Sequence, residues 1–185
     1  MSAAAVICAR AMNDNPIHIK VFGASSALRE RRLRRFFSGL LAYVQRKGKL
    51  LGVFSDGRLA GVLGMLPPGD CKPTLRDFLQ LMPALLTSNT PAGTVRLAIW
   101  LSIWARLDPS IPHWHLGPLA VDTSLQQQGI GTRLMDYAVS STPGESLYLE
   151  TDELANVRFY EGFGFSVLAR QPVLSTPSWV MIRQA

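Results

Sequence analysis

The sequence predicts an α/β (α+β) fold with a mixed, mainly antiparallel central sheet flanked by helices, and three observations predict it. An apolar run, Leu116 to Val121, leads through a glycine-bearing turn into an amphipathic helix with Leu134, Met135, Ala138 and Val139 on one face. An Asp56-Gly57 pair between two apolar runs signals a two-residue hairpin in the first half. Short strands at Leu147 to Thr151, Phe165 to Arg170 and Trp179 to Arg183, with a helix at Leu154 to Gly162, close the chain. There are no repeats, linkers or low-complexity runs, so residues 1–185 are expected to form one domain.

Composition narrows the class without choosing a ligand. At 185 residues and 48% hydrophobic, the chain is long enough to bury a sizeable core. Lys+Arg 19 against Asp+Glu 13 leaves a formal +6, which suits an anionic small molecule as well as a nucleic acid or a membrane surface. Cys8 and Cys71 have neither metal-ligand nor CxxC spacing, so we expect reduced thiols, no metal and a cytoplasmic location. The apolar N-terminus, Ser2 to Ala9, lacks a basic leader and is soon followed by Arg10, Asn13 and Asp14, which argues against a secretory signal. Val95 to Trp104 is far shorter than the ~20 residues of a membrane span and reads as core.

In chain order, Ala3 to Met12 forms a short helix, stopped by Asn13-Asp14-Asn15-Pro16. Leu28 to Arg46 is a longer helix, with Leu33, Phe36, Phe37, Leu40, Leu41 and Val44 at helical spacing. Its start carries Arg29, Arg31, Arg32, Arg34 and Arg35, read as a solvated face in preference to a nucleic-acid patch. Lys49 to Phe54, the turn Ser55 to Arg58, and Leu59 to Leu66 form the hairpin, ended by Pro67-Pro68-Gly69. Helices follow at Leu75 to Leu86, with a bend at Pro83, and at Gly93 to Leu107, where Leu97, Trp100, Leu101 and Trp104 share one apolar face.

The turn between Val121 and the next helix has chemical content. It reads Gln126-Gln127-Gln128-Gly129-Ile130-Gly131-Thr132. The first turn of a helix leaves backbone N–H groups unpartnered at the positive end of the helix dipole, so these amides can wrap a phosphate or pyrophosphate. Glycine at 129 and 131 lets the main chain approach the anion. A plain strand-to-helix turn with packing glycines is the rival reading. The Walker A loop is excluded because Thr132-Arg133 follows Gly131, and the dinucleotide fingerprint G-x-G-x-x-G is absent.

Q-x-x-G-x-G after a strand ending Leu119-Ala120-Val121 resembles the acyl-CoA signature of the GNAT acetyltransferase superfamily. A second motif agrees: Leu147 to Thr151, then Asn156-Val157-Arg158-Phe159-Tyr160-Glu161-Gly162-Phe163-Gly164-Phe165, is similar to that superfamily's N-x-x-F-Y-x-x-x-G-F helix and turn. Within the superfamily, the block from His113 to Arg183 looks most like puromycin N-acetyltransferase and its relatives. The resemblance implies a GNAT-like sheet whose first edge strand is expected to be missing, since the chain starts too late to contain it: either the sheet lacks that strand or the sequence begins short of it.

It also implies acetyl-CoA as cosubstrate and acetyl transfer to the amine of a small molecule by direct attack in a ternary complex. The backbone of Leu119, Ala120 and Val121 would pair with the pantetheine arm, and Gln126 to Thr132 would hold the diphosphate. Asn156 matches the CoA-contacting asparagine at a shortened spacing. Tyr160 takes the position of the proton donor to the leaving thiolate. For the base, relatives carry a glutamate where this chain has Gly117, so Glu150 and His115 are the candidates, with His113 beside them. Peptide or protein N-acetylation and a CoA-binding regulatory domain are the alternatives. Neither nucleic acid nor membrane is expected as a partner, and a homodimer stays open.

Overall fold

Capping and cation placement decide how the helical first third is cut. The computed structural model describes residues 2–185. Helix α1, Ser2–Ala11, buries Ala4, Ala5, Ile7, Cys8 and Ala9, as its apolar face predicts. The link after it does more than stop a helix, because a second one, α2 at Pro16–Phe22, starts at once. Asn15 is its cap, the side-chain oxygen accepting from the amides of Ile17 at 2.9 Å and His18 at 3.3 Å. Pro16 sits in the first turn, where its missing N–H costs nothing.

Helix α3, Ser26–Lys47, buries Leu33, Phe36, Phe37, Leu41 and Val44. Its arginines are not all a solvated face. Arg29 is only 3% exposed; it donates to the Asn13 carbonyl and, at 2.9 Å each, to those of Gly23 and Ala24, and pairs with Asp14 at 3.0 Å. Arg32 donates to the Phe22 carbonyl at 2.6 Å. The carbonyls at the end of α2 lack intrahelical partners, and two cations from α3 satisfy them. Arg31, Arg34 and Arg35 do face water.

Six strands follow the expected spans: β1 Lys49–Ser55, β2 Arg58–Leu66, β3 Trp114–Val121, β4 Leu147–Thr151, β5 Ser166–Val173 and β6 Thr176–Arg183. Asp56 and Gly57 both take left-handed φ, 50° and 73°, as a primed hairpin turn requires. The sheet order is β1-β2-β3-β4-β6-β5. Every neighbouring pair is antiparallel except β3 with β4, so the sheet is mixed and mainly antiparallel. Among the described residues no strand precedes α1.

The remaining helices are α4 Leu75–Thr87, α5 Pro91–Leu107, α6 Ile130–Ser140 and α7 Leu154–Glu161. One core lies on the sheet face covered by α1, α2, α3 and α5, with Ile17, Phe22, Phe37, Leu97 and Trp100. The other lies under α6 and α7, with Leu134, Met135, Leu147, Leu149, Val157 and Tyr160. Gly61 on β2 sets how closely α6 docks, since a Cβ there would come within 2.8 Å of the Ile130 Cγ2. No described helix is long and apolar enough to cross a membrane.

Candidate active site

The site begins where a parallel pair comes apart. β3 and β4 pair only at Trp114 with Leu147 and at His115 with Tyr148, and beyond these two rungs they share no further pairing. On its other edge β3 stays bonded to β2 as far as Val121. The Asp122 amide bonds the Ala60 carbonyl at 2.8 Å, so by strand alternation the amides of Leu119 and Val121 point toward the opening. Main-chain donors and acceptors along an unpaired edge are what an extended ligand arm needs.

The turn after β3 is held from within. Asp122 accepts from the amide of Ser124 at 3.0 Å and its hydroxyl at 2.7 Å, closing a 3-10 turn over Thr123–Leu125. Gln126 reaches back to the Val121 carbonyl at 3.4 Å. Gln127 and Gly129 take φ of 61° and 76°, which turns the chain into α6. The first backbone bond of α6 runs from Arg133 to Gly129 at 3.0 Å, which leaves the amides of Ile130, Gly131 and Thr132 ahead of it. Gln126, Gln127, Gln128, Gly129 and Thr132 are exposed, whereas Ile130 is anchored in the core.

Gly131 tests whether this turn fits a ligand. A Cβ there would meet only the Phe159 Cζ at 3.6 Å and the Val121 Cγ2 at 3.8 Å, ordinary contacts. The protein's own packing therefore does not require glycine at 131. Phe159 also joins the two motifs, since its ring lies beside the start of α6. Next to it, Tyr160 is 9% exposed, packed edge-on against Phe159, with no hydrogen-bond partner for its hydroxyl among the described residues. Burial alone pushes its phenol well above the usual range. Asn156 is exposed and donates to the Thr151 hydroxyl at 3.2 Å, tying α7 to the end of β4.

On the opposite face β4 presents polar side chains beside the first core. Leu147 and Leu149 point under α6 and α7, so Tyr148, Glu150 and, one residue past the strand, Asp152 point the other way. Glu150 pairs with the His115 Nε2 at 2.8 Å across the parallel rung. Burial disfavours the charged His115 ring, but the Glu150 charge and hydrogen bond, with Asp108 adding, outweigh it and raise its pKa. Tyr148 is fully buried between His115 and His113, with ring centroids 5.1 and 4.9 Å away. Burial and then the Glu150 charge push its phenol up. His113 faces the Ile111 carbonyl through Nδ1 at 2.8 Å and Asp108 through Nε2 at 3.0 Å.

A family model for the acetyltransferase (GNAT) family matches residues 24–165. The chain belongs to that family. The donor of GNAT enzymes is acetyl-CoA. A Corynebacterium glutamicum structure of histone acetyltransferase HPA2 and related acetyltransferase aligns with TM-score 0.73 at 20% identity, over 98% of this chain and 88% of that one. A structure described as an acetyltransferase aligns at 0.55 and 18%, over 100% and 96%. The Pyrococcus horikoshii OT3 protein PH1933 aligns at 0.53 and 12%, over 95% and 92%. At such identities the likeness shows the fold. No curated protein sequence matches the chain.

The sequence reading misses polar residues around this candidate site. Tyr148, Asp152, Asp108 and Ser178 were not singled out, although Tyr148, Glu150 and Asp152 stand at strand alternation in one short stretch. That period was the available signal for the first two. Trp100 is core, as expected, while Trp104 is half-buried and its indole N–H donates to the Ser178 hydroxyl at 3.1 Å.

Proposed function

We propose that this GNAT enzyme is an N-acetyltransferase that moves the acetyl group of acetyl-CoA to the amine of a small molecule by direct attack in a ternary complex. The observation that carries the reading is the two-rung pairing of β3 and β4, open beyond His115 and leading to the free amides of α6. The Gln127 to Thr132 amides take the diphosphate, and the edge of Leu119 to Val121 takes the pantetheine arm, with the Val121 amide polarising the thioester carbonyl.

Transfer needs a neutral amine and a protonated leaving thiol. Tyr160 and the Glu150–His115 pair lie on opposite faces of the sheet, which suits an acid on one side of the thioester and a proton acceptor on the other. Tyr160 donates its O–H to the departing sulfur; burial disfavours the phenolate, so the phenol stays protonated and available as a donor. The Glu150–His115 pair receives the proton of the acceptor. Asn156 supports the start of α7 beside the cofactor arm.

Titration calorimetry with acetyl-CoA, followed by thiol release over an amine panel, tests the reading. The panel includes puromycin, for which the motif resemblance is the reason, and N-terminal peptides. Binding with release on a small amine supports the proposal. Release on peptides alone makes the chain a peptide acetyltransferase, and the absence of binding removes every role assigned here.

A further inference from the structure

We propose that the outer face of α4, together with the arginine groove that α4 shares with α3, is a docking surface for an anionic lipid membrane, with α4 lying in the headgroup layer. The inference goes beyond acetyl transfer and does not depend on it. Helix α4 is turned opposite to what its sequence would favour in water. Leu75, Phe78, Leu79 and Leu86 share one helical face and are all exposed, Leu75 at 77% and Leu79 at 62%, while the side chain that α4 buries is Asp77. An apolar face presented in this way marks an interaction surface.

The polar side of α4 is what fixes it to the protein. Thr74 and Asp77 close a capping box, the Asp77 carboxylate accepting from the Thr74 amide at 3.1 Å and from its hydroxyl at 2.6 Å. Lys47, at the end of α3, pairs with the same carboxylate at 3.4 Å and with Asp70 at 3.1 Å. Two turns further on, Ala84 packs so tightly on Gly39 of α3 that a Cβ at 39 would clash with its methyl. Asp77 and Ala84 thus lay one side of α4 on α3 and leave the apolar side outward.

A groove of about 620 Å³ runs between the two helices, lined by Arg31, Arg34 and Arg35 from α3 and by Pro83 and Thr87 from α4. The three arginines are exposed, and none is paired with a carboxylate among the described residues. Arg35 is held in place by donating to the Thr87 carbonyl at 3.1 Å. The imbalance extends beyond the groove. Arg76 on α4 and Arg96 and Arg106 on α5 are exposed, and from Lys72 to Leu107 the only acidic residue is the buried Asp77. A second copy seated here would set cation against cation, and a neutral apolar partner would leave the guanidinium groups unanswered. Anionic phospholipid answers both parts, with phosphates for the arginines and the acyl boundary for the leucines and Phe78. This reverses the expectation of no membrane partner: no described helix spans a bilayer, and a helix lying in the interface does not have to. The α6 turn lies under the other sheet face, so a chain docked through α3 and α4 keeps that turn in water.

Co-sedimentation of the full chain with vesicles tests the surface. Vesicles of equal parts phosphatidylcholine and phosphatidylglycerol should carry the protein down, less so as salt rises, and pure phosphatidylcholine should not. Arg31→Gln with Arg34→Gln removes two charges and should weaken binding roughly 30-fold. Leu75→Ser with Leu79→Ser should weaken it by at least about tenfold. All four side chains are exposed, so both variants should keep the wild-type circular dichroism and urea midpoint. Wild type that stays in solution with the anionic vesicles, or sediments equally with both kinds, overturns the proposal, as do folded variants that bind like wild type. A dimer seen by sedimentation velocity without lipid, and abolished by Leu75→Ser with Leu79→Ser, would give the face to a second copy instead. Binding to poly-glutamate without binding to vesicles would give it to an acidic protein segment, and either result overturns the membrane assignment.

Discussion

Replacing Gly131 by alanine should move stability and affinity in opposite directions. The position is the second residue of α6, and the new methyl would sit in ordinary contact with Phe159 at 3.6 Å and Val121 at 3.8 Å. Nothing in the fold resists it, so the loss of glycine's backbone entropy should stabilise the chain by roughly 0.5–1 kcal/mol. The same methyl points toward the end of β3 and stands where a diphosphate would approach the amides. Losing one or two charge-assisted hydrogen bonds at ~1.5 kcal/mol each weakens binding about 10- to 100-fold. Urea unfolding and acetyl-CoA calorimetry on one preparation read both quantities. Unchanged affinity would refute the cradle, and a fall in stability would mean that the glycine serves packing after all.

Tyr160→Phe should lower turnover on the order of 100-fold with acetyl-CoA affinity nearly unchanged, since only proton delivery is removed; single-turnover kinetics beside calorimetry separates the two. Glu150→Gln should drop the His115 pKa, because the carboxylate raises it against burial. The stability that pair contributes is present below the ordinary histidine pKa and is lost as pH rises through the raised one, so the variant should be weakened most in acid, read by proton NMR and unfolding at several pH values. Asp152 moves from 3.8 to about 7 on folding, so wild type should lose roughly 4 kcal/mol relative to Asp152→Asn between pH ~4 and ~7 and no more above. A parallel pH dependence of the two proteins in urea would refute that burial. Arg29→Met should cost roughly 3–5 kcal/mol by stranding carbonyls at the end of α2, and a change below 1 kcal/mol would show that water reaches them.

Much of the fold was legible because its signals are local. The Asp56-Gly57 turn, the apolar strand runs and the glycines before α6 each act within a few residues, and the structure agrees with all three. Helix α2 escaped because its proline was read as an ending. Pro16 blocks a helix arriving from α1 and equally starts the next one, and only the Asn15 cap decides between these. Arg29 escaped for another reason. Whether an arginine on a helix faces water depends on which carbonyls lie opposite, and those belong to a segment that the period of α3 cannot report.

The base was the hardest assignment, and topology explains why. Glu150 and His115 entered as rivals, yet they lie 35 residues apart in sequence and meet at 2.8 Å only because β3 and β4 run parallel for two rungs. Because the two side chains are hydrogen-bonded to one another, they exchange protons as a pair and are suited to relay one. Asp152 could be suspected from alternation with Glu150, but its surroundings depend on β6 inserting between β4 and β5, a crossing that no local pattern records. The acidic limb of activity should follow the Glu150–His115 pair, and pH–rate profiles of Glu150→Gln and His115→Ala beside wild type would read it, an unaltered limb in both refuting the pair as proton acceptor.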